Sequence, residues 1–292
     1  MKRATFQILD EGTHHVVVNK MSGALVVPAR GVPAPVLLEQ VQAHFGKGVR
    51  AVHRLDRGTS GCVVFAKSTY GEQALVDAFR RRRVEKRYLA FIEGRPDFTK
   101  KSIEAPLLRV DAPHGKKHGP AALQKVDGAG QSALTQIRVL AEGQHFSLIE
   151  ARPHTGRMHQ IRVHCAHIGY PLVGDLLYGA RTEAPRVLLH ALALFFPAPS
   201  GGRRLCESPL PADFTDFAAQ AHLDLEKALA PVRASIHSQR EKLKKGRPQT
   251  PQSQDRQSQQ KRGSSRAGSE RRAEKPTAQG KKSRPRRTRT RL

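Results

Sequence analysis

The sequence predicts an α+β fold, a largely antiparallel mixed sheet with flanking helices, on two observations. Short apolar, β-branched runs follow one another through brief turns marked by Gly and Pro. Helical periodicity is sparse and is not interposed regularly between strands, which argues against a doubly wound parallel sheet.

In chain order, HHVVVNK (14–20) reads as a strand, and Gly23 and Pro28 punctuate the loop after it. VLLEQVQAHF (36–45) reads as a helix with Val36, Leu37, Val41 and Phe45 on or near one face. GCVVFAKS (61–68) is an apolar strand, and Thr69 with Glu72 has the capping-box spacing that opens the helix TYGEQALVDAFRRR. RYLAFIEG (87–94) is a strand ended by Gly94 and Pro96, and residues 111–131, rich in Gly, Pro, His and Lys, read as a loop. SALTQIRVL (132–140) alternates, with Ala133, Thr135, Ile137 and Val139 on one side, and pairs with HFSLIEAR (145–152) across a turn at Glu142-Gly143. MHQIRVHCAHIG (158–169) is a helix with Met158, Ile161, Cys165 and Ile168 as its buried stripe and Gly169 at its end. RVLLHALALFF (186–196) is a strand and FTDFAAQAHL (214–223) a closing helix.

Residues 1–230 therefore read as one folded domain. From about Pro231 the aromatics and most aliphatics disappear, and residues 231–292 read as a disordered Lys/Arg-rich tail. The chain holds 51 Lys+Arg against 25 Asp+Glu, a net charge of +26, of which +16 falls between Arg233 and Leu292. A basic body with a more basic tail points to a polyanionic partner. A bilayer is disfavoured: the longest apolar run, VLLHALALFFP from Val187, is too short to span one and contains His190. The start, MKRATFQILDEG, has no apolar signal region. Cys62, Cys165 and Cys206 stand singly, with neither a disulfide framework nor a zinc spacing, which fits a reducing cytoplasm. No surplus apolar helix asks for a second subunit, so a monomer is expected.

Several chemistries find no support. His154, His159, His164 and His167 cluster with Cys165, but there is no HExxH pair and no acidic third ligand nearby, so no metal is expected. GxSxG, GxxxxGK[ST] and GxGxxG are absent. The run Arg80–Arg83 with Lys86 and Arg87 is either a solvated helix end suited to the dipole or a phosphate contact.

The stretch HRLDRGTSG (53–61) places one carboxylate, Asp56, between Arg54 and Arg57 ahead of a Gly-Thr-Ser-Gly turn. Asp56 is either a surface ion pair worth little or a carboxylate kept ionised by an arginine for chemistry. Downstream, HTGRMHQIRVH brings Arg157 and Arg162 to a helix start, able to face a cleft.

Taken in order, NKMSGALVVP (19–28), HRLDRGTSG (53–61), KRYLAFIEG (86–94), PHTGRMHQIRVHCAHIGYPLVGDLLYG (153–179) and RVLLHALALFFPAP (186–199) resemble the RluA-type family of RNA pseudouridine synthases. The resemblance runs from about Phe6 to Phe196 and departs from the family pattern at Met21, where proline is usual. It implies a pseudouridine synthase fold around a catalytic cleft, and an isomerisation of uridine in ribosomal or transfer RNA that needs no metal or cofactor. It also implies roles for single residues. Asp56 would be the catalytic carboxylate, Arg162 its partner and Tyr88 the ring stacked on the flipped uracil. Arg54 would help displace the base and Leu189 would wall the pocket; beside these, Arg57, Arg157 and His159 are expected to contact RNA. The rivals are a non-catalytic basic RNA-binding or ribosome-assembly protein and a metal-dependent nuclease or deaminase using the histidines.

Overall fold

The computed structural model describes residues 6–29, 32, 34–111 and 122–245. β1 (Phe6–Glu11) and β2 (His15–Lys20) form a hairpin, and α1 (Leu37–Phe45) and the short β3 (Arg50–Ala51) lead into β4 (Ser60–Ala66). Then come α2 (Thr69–Arg80), β5 (Glu85–Glu93), β6 (Lys100–Glu104), β7 (Leu107–Asp111) and β8 (Ala122–Val126). β9 (Leu134–Glu142) and β10 (Phe146–Pro153) precede α3 (Gln160–His167) and a 3-10 turn at Leu176–Tyr178. The chain continues through β11 (Leu189–Pro197), β12 (Arg203–Glu207), α4 (Ala212–Gln220) and α5 (Leu225–Lys245).

The main sheet runs β1-β2-β4-β11-β5-β10-β9-β6, with β12 paired to β11 and β3 to β4. Its pairs are antiparallel except one: β4 and β11 run parallel, His190 beside Ser60 and Ala191 beside Gly61. Gly61 has φ +113, and a Cβ there would lie 2.2 Å from the Ala191 carbonyl oxygen, so this close approach requires glycine. The junction sets the HRLDRGTSG turn, which feeds β4, beside Leu189, which opens β11.

Why β2 and β4 are buried throughout, with valine runs that do not alternate, follows from what covers them. α1 packs Leu37 and Val41 against Val16, Val18 and Phe65 on one face. α2 packs Leu75 and Ala78 against Val17, Val64 and Phe196 on the other. Strands buried on both faces read as continuous hydrophobic runs. In the other half of the sheet, Ile161 and Cys165 of α3 cover Ala90, Ile149 and Ala151. On the opposite face Phe214 of α4 and Val232 of α5 join Leu89, Phe91 and Leu148.

Three expectations are corrected. The N-cap of α2 is Ser68, whose Oγ accepts the Gly71 N–H at 3.1 Å, one residue before the expected Thr69 box. Part of the expected 111–131 loop is β8, hydrogen-bonded to β7 from Leu107↔Val126 to Asp111↔Ala122. The domain boundary at 230/231 is also displaced, because α5 carries the fold through Pro231 to Lys245. Ala228, Leu229, Val232 and Ile236 recur at helical spacing and are buried, a stripe that the surrounding Lys, Arg and Gln conceal in composition. Of the expected tail, residues 246–292 lie outside the described residues.

Candidate active site

Asp56 sits in the loop between β3 and β4, and that loop is fixed chiefly through its backbone. Buried Lys20, at the end of β2, directs Nζ to the carbonyls of Arg57 (3.1 Å), Ala24 (2.8 Å) and Met21 (3.1 Å). Ser22 Oγ donates to Gly58 O at 3.0 Å, and Arg186 Nη1 donates to the same carbonyl at 3.1 Å. Three carbonyls match the three N–H bonds of an ammonium, while burial pulls Lys20 down to about 7 against the opposing pull of the Asp56 charge. His53 anchors the front of the loop: its Nε2 accepts the Val64 N–H at 2.9 Å and its ring stacks on Phe79. Burial holds that imidazole down at about 3, so it stays a neutral acceptor.

The facing wall comes from the HTGR turn and α3. The Gln160 carboxamide accepts from Thr155 Oγ1 (2.6 Å) and from the Arg157 N–H (3.0 Å), and donates to Leu134 O and Thr135 Oγ1 at 2.9 Å each. From across the cleft, Lys86 Nζ donates to Thr155 O at 2.7 Å. Burial lowers Lys86 to about 8. His159 precedes α3 in the left-handed conformation, φ +53. Its Nδ1 lies 2.7 Å from the Tyr178 hydroxyl and its Nε2 3.9 Å from Asp56 Oδ2. Burial lowers its pKa, so the ring is neutral at pH 7.

Arg162 is nearly buried and is gripped by a partner that the sequence did not single out. Its Nε and Nη2 donate to the two oxygens of fully buried Asp175, both at 2.7 Å. Tyr178 lies against the guanidinium face, 4.9 Å from its ring centroid. This fork-to-fork clamp leaves Nη1 directed at Asp56 Oδ2, at 3.7 Å. The expected Arg162–Asp56 pair is therefore the looser of two, and Asp175 fixes its direction. Asp175 follows Gly174, where φ is +79 and a Cβ would lie 2.2 Å from Arg186 O.

These walls enclose a cleft of about 460 Å³. Asp56, Tyr88, Arg162, Arg54, Arg157, His159 and Leu189 all line it, brought together from residues far apart in sequence. Arg80, Arg82 and Lys86 add to the basic lining, and Asp56 is its one carboxylate among the described residues. The Tyr88 phenol is shifted upward by burial and by the Asp56 charge, so it stays protonated. Arg57 does not join them; its side chain is exposed, and its carbonyl is what the site uses. Arg87, the last cation of the basic run, is buried and bonded to Glu85 and α5, while Arg80 and Arg81 pair with Asp77 at 3.0 and 2.8 Å. His164, one of the clustered histidines, is buried with its ring nitrogens on Thr135 Oγ1 (2.9 Å) and Ala105 O (3.0 Å).

A family profile described as RNA pseudouridylate synthase matches residues 14–167. An RNA pseudouridine synthase of Chloroflexus aurantiacus is 39% identical over 206 residues, covering 67% of this chain and 63% of that protein. The chain belongs to the RNA pseudouridylate synthase family. Within that family, ribosomal large subunit pseudouridine synthase D of Haemophilus ducreyi is 31% identical, over 75% of this chain and 72% of its own. Among solved structures, human RNA pseudouridylate synthase domain containing 1 superposes with a TM-score of 0.59 at 27% identity, covering 71% of this chain and 84% of that one. The match thus spans less than two thirds of the Chloroflexus relative's length. The synthase fold expected from the sequence, a mixed sheet with flanking helices, is the one observed.

Proposed function

We propose that this protein is an isomerase that converts uridine to pseudouridine in RNA, with Asp56 as the carboxylate on which the reaction turns. The observation that carries this reading is the cleft itself: a lone carboxylate facing a clamped guanidinium at 3.7 Å, beside the Tyr88 ring, in an otherwise cationic lining. A site built only to hold a polyanion gains nothing from a carboxylate in its centre.

In the reaction the N1–C1′ bond breaks, the uracil turns, and a C5–C1′ bond forms. The C5 proton is lost and N1 gains one, so atoms and electrons balance without an oxidant. An enzyme acting on a base must first take it out of its stack. Arg54, exposed on the rim, is placed to occupy the vacated space. Tyr88 and Leu189 offer the flat apolar surfaces on which a uracil rests, and Arg157 and His159 close the far wall. Arg162 faces Asp56 with its remaining nitrogen, Nη1, at 3.7 Å and fixes a cation opposite the carboxylate.

The names of the relatives support the large subunit of the ribosome as the source of the substrate, with transfer RNA as the competing class. We assign the protein to the cytoplasm as a monomer; among the described residues no helix is long and apolar enough to cross a membrane. The test is RNA carrying tritium at uridine C5, incubated with the protein and with Asp56→Asn in the presence of a chelator. Release by the wild type alone supports the reading. Release by both removes Asp56 from the chemistry, and release by neither leaves an RNA-binding protein.

A further inference from the structure

The cleft does not stop at its rim. A second groove of about 530 Å³ shares Arg82, Val84, Lys86, Pro153 and His154 with it. A third, of about 460 Å³, shares Gln136 and Arg152 with the second. The strand register explains this continuity. β5 begins at Glu85 and β10 ends at Pro153, so these strand ends form a lip over which the groove turns to the sheet's other face. Beyond the lip Arg152 stands opposite Gln136, and Lys100 opposite Arg138, carrying the groove across β10 and β9 to β6. From β5 to β6 is three inter-strand steps, about 15 Å.

Charge along this path is one-sided. The two outer grooves are lined by eight Lys/Arg side chains and two carboxylates, Glu85 and Glu150. Both carboxylates are already committed. Buried Glu150 holds Arg138 at 2.9 Å and Arg152 at 3.0 Å, and Glu85 holds Arg87 at 2.8 Å. Arg82, Arg203, Lys100 and Lys101 are exposed and form no ion pair among the described residues. Solvated surface cations need no groove; here they follow one that opens directly into the cleft.

Resting on the synthase reading of that cleft, we infer that the RNA strand leaving the reacting uridine runs out along this groove. Its phosphates pass Arg82 and Arg203 at the lip and Lys100 and Lys101 beyond it. Each such contact releases counterions, so it adds to affinity and to salt dependence while reading no sequence.

The experiment measures anisotropy of fluorescein-labelled oligouridylates of about five and about fifteen nucleotides, across about 50–200 mM KCl. It compares the full-length protein with the triple variant Lys100→Gln/Lys101→Gln/Arg203→Gln. A control, Lys47→Gln/Arg50→Gln/Lys227→Gln, removes three exposed cations that line none of the grooves. The groove variant should bind the long oligonucleotide about tenfold more weakly, with a salt slope smaller by about 2, while the short one binds as before. Equal binding of the long oligonucleotide by wild type and groove variant overturns the path. So does an equal loss in the control, or an equal loss for the short oligonucleotide. Tritium release from uridine in RNA is read separately on the same variants, so a failed synthase reading is told apart from a failed path.

Discussion

Two arginines lie almost out of reach of water, Arg87 of β5 and Arg162 of α3, at 2% and 8% exposure. Both are surrounded by carboxylates and amides, yet they end differently. Arg87 is closed: Nε meets Glu85 at 2.8 Å, and the other nitrogens meet Ser235 and Gln239 of α5, both at 3.0 Å. Arg162 is left open on one edge, with Nε and Nη2 spent on Asp175 and Nη1 turned to Asp56 across 3.7 Å. A closed network ties elements together. A network with one unpaired edge places charge where a substrate is going to be.

The largest expected effect breaks the open network at its acceptor. Asp56→Asn keeps the shape and removes the charge, and tritium release should fall at least ~10³-fold, the scale of losing an acid–base or nucleophilic group. RNA affinity should stay nearly unchanged, since Asp56 is the lone acid of a basic cleft. Loss of RNA binding in this variant would make the residue structural.

Next comes the clamp. Asp175→Ala leaves a nearly buried guanidinium with its better partner gone, and urea unfolding should show a loss of about 3–5 kcal/mol. Arg162→Lys keeps the charge but cannot make the fork, so turnover per folded molecule should drop sharply while RNA affinity holds. Arg87→Lys is the matched contrast. It should lower stability by a similar mechanism, yet leave turnover per folded molecule at the wild-type value. If Arg87→Lys lowers turnover as much as Arg162→Lys does, the distinction between the two networks is wrong.

A smaller effect separates fold from tail. Ending the chain after Ala230 removes Val232 and Ile236 from the core around Phe214, a loss of about 2 kcal/mol for each. Ending it after Lys245 spares both. The basic balance of the expected tail points to a polyanion, so that second truncation should flatten the salt dependence of RNA binding and leave the urea midpoint in place.

Which of these features the sequence displays follows from the range of the interaction behind each. Strands and helices with a clear period, such as 132–140 and 36–45, announce themselves because their burial is local in pattern. Asp56, Tyr88, Arg162, Arg54, Leu189, His159 and Arg157 each sit in a long motif, and the fold brings all seven to the lining of one cleft. The pairing of Arg162 with Asp175 is not legible, because nothing in a spacing says which carboxylate a guanidinium grips. Arg57 and Arg87 looked like exposed basic side chains of the same kind as Arg54. Arg57 contributes its carbonyl to Lys20 and Arg87 an internal lock onto α5, and only the tertiary packing decides that. Lys20, a lysine used as a three-way backbone clamp, runs against the expectation that lysine faces water. β8 and α5 were hidden by polar composition around short apolar stripes.

The smallest effect concerns the loop that presents Asp56, and it depends on pH. His53 accepts the Val64 N–H as a neutral ring and is held down at about 3, against about 6.5 in an unfolded chain. Below 6.5 the unfolded chain therefore binds a proton that the folded protein refuses. The sign follows: stability contributed by His53 is complete above about 6.5 and declines as pH falls toward 3, at about 1.4 kcal/mol per pH unit. His53→Gln keeps an acceptor for Val64 but cannot take the proton. The gap in unfolding free energy between the wild type and this variant should then narrow steadily as urea titrations move from pH 7 to pH 4. A constant gap would mean that His53 takes up its proton as readily in the folded protein as in the unfolded chain, and that the loop is held by Lys20, Ser22 and Arg186 without it.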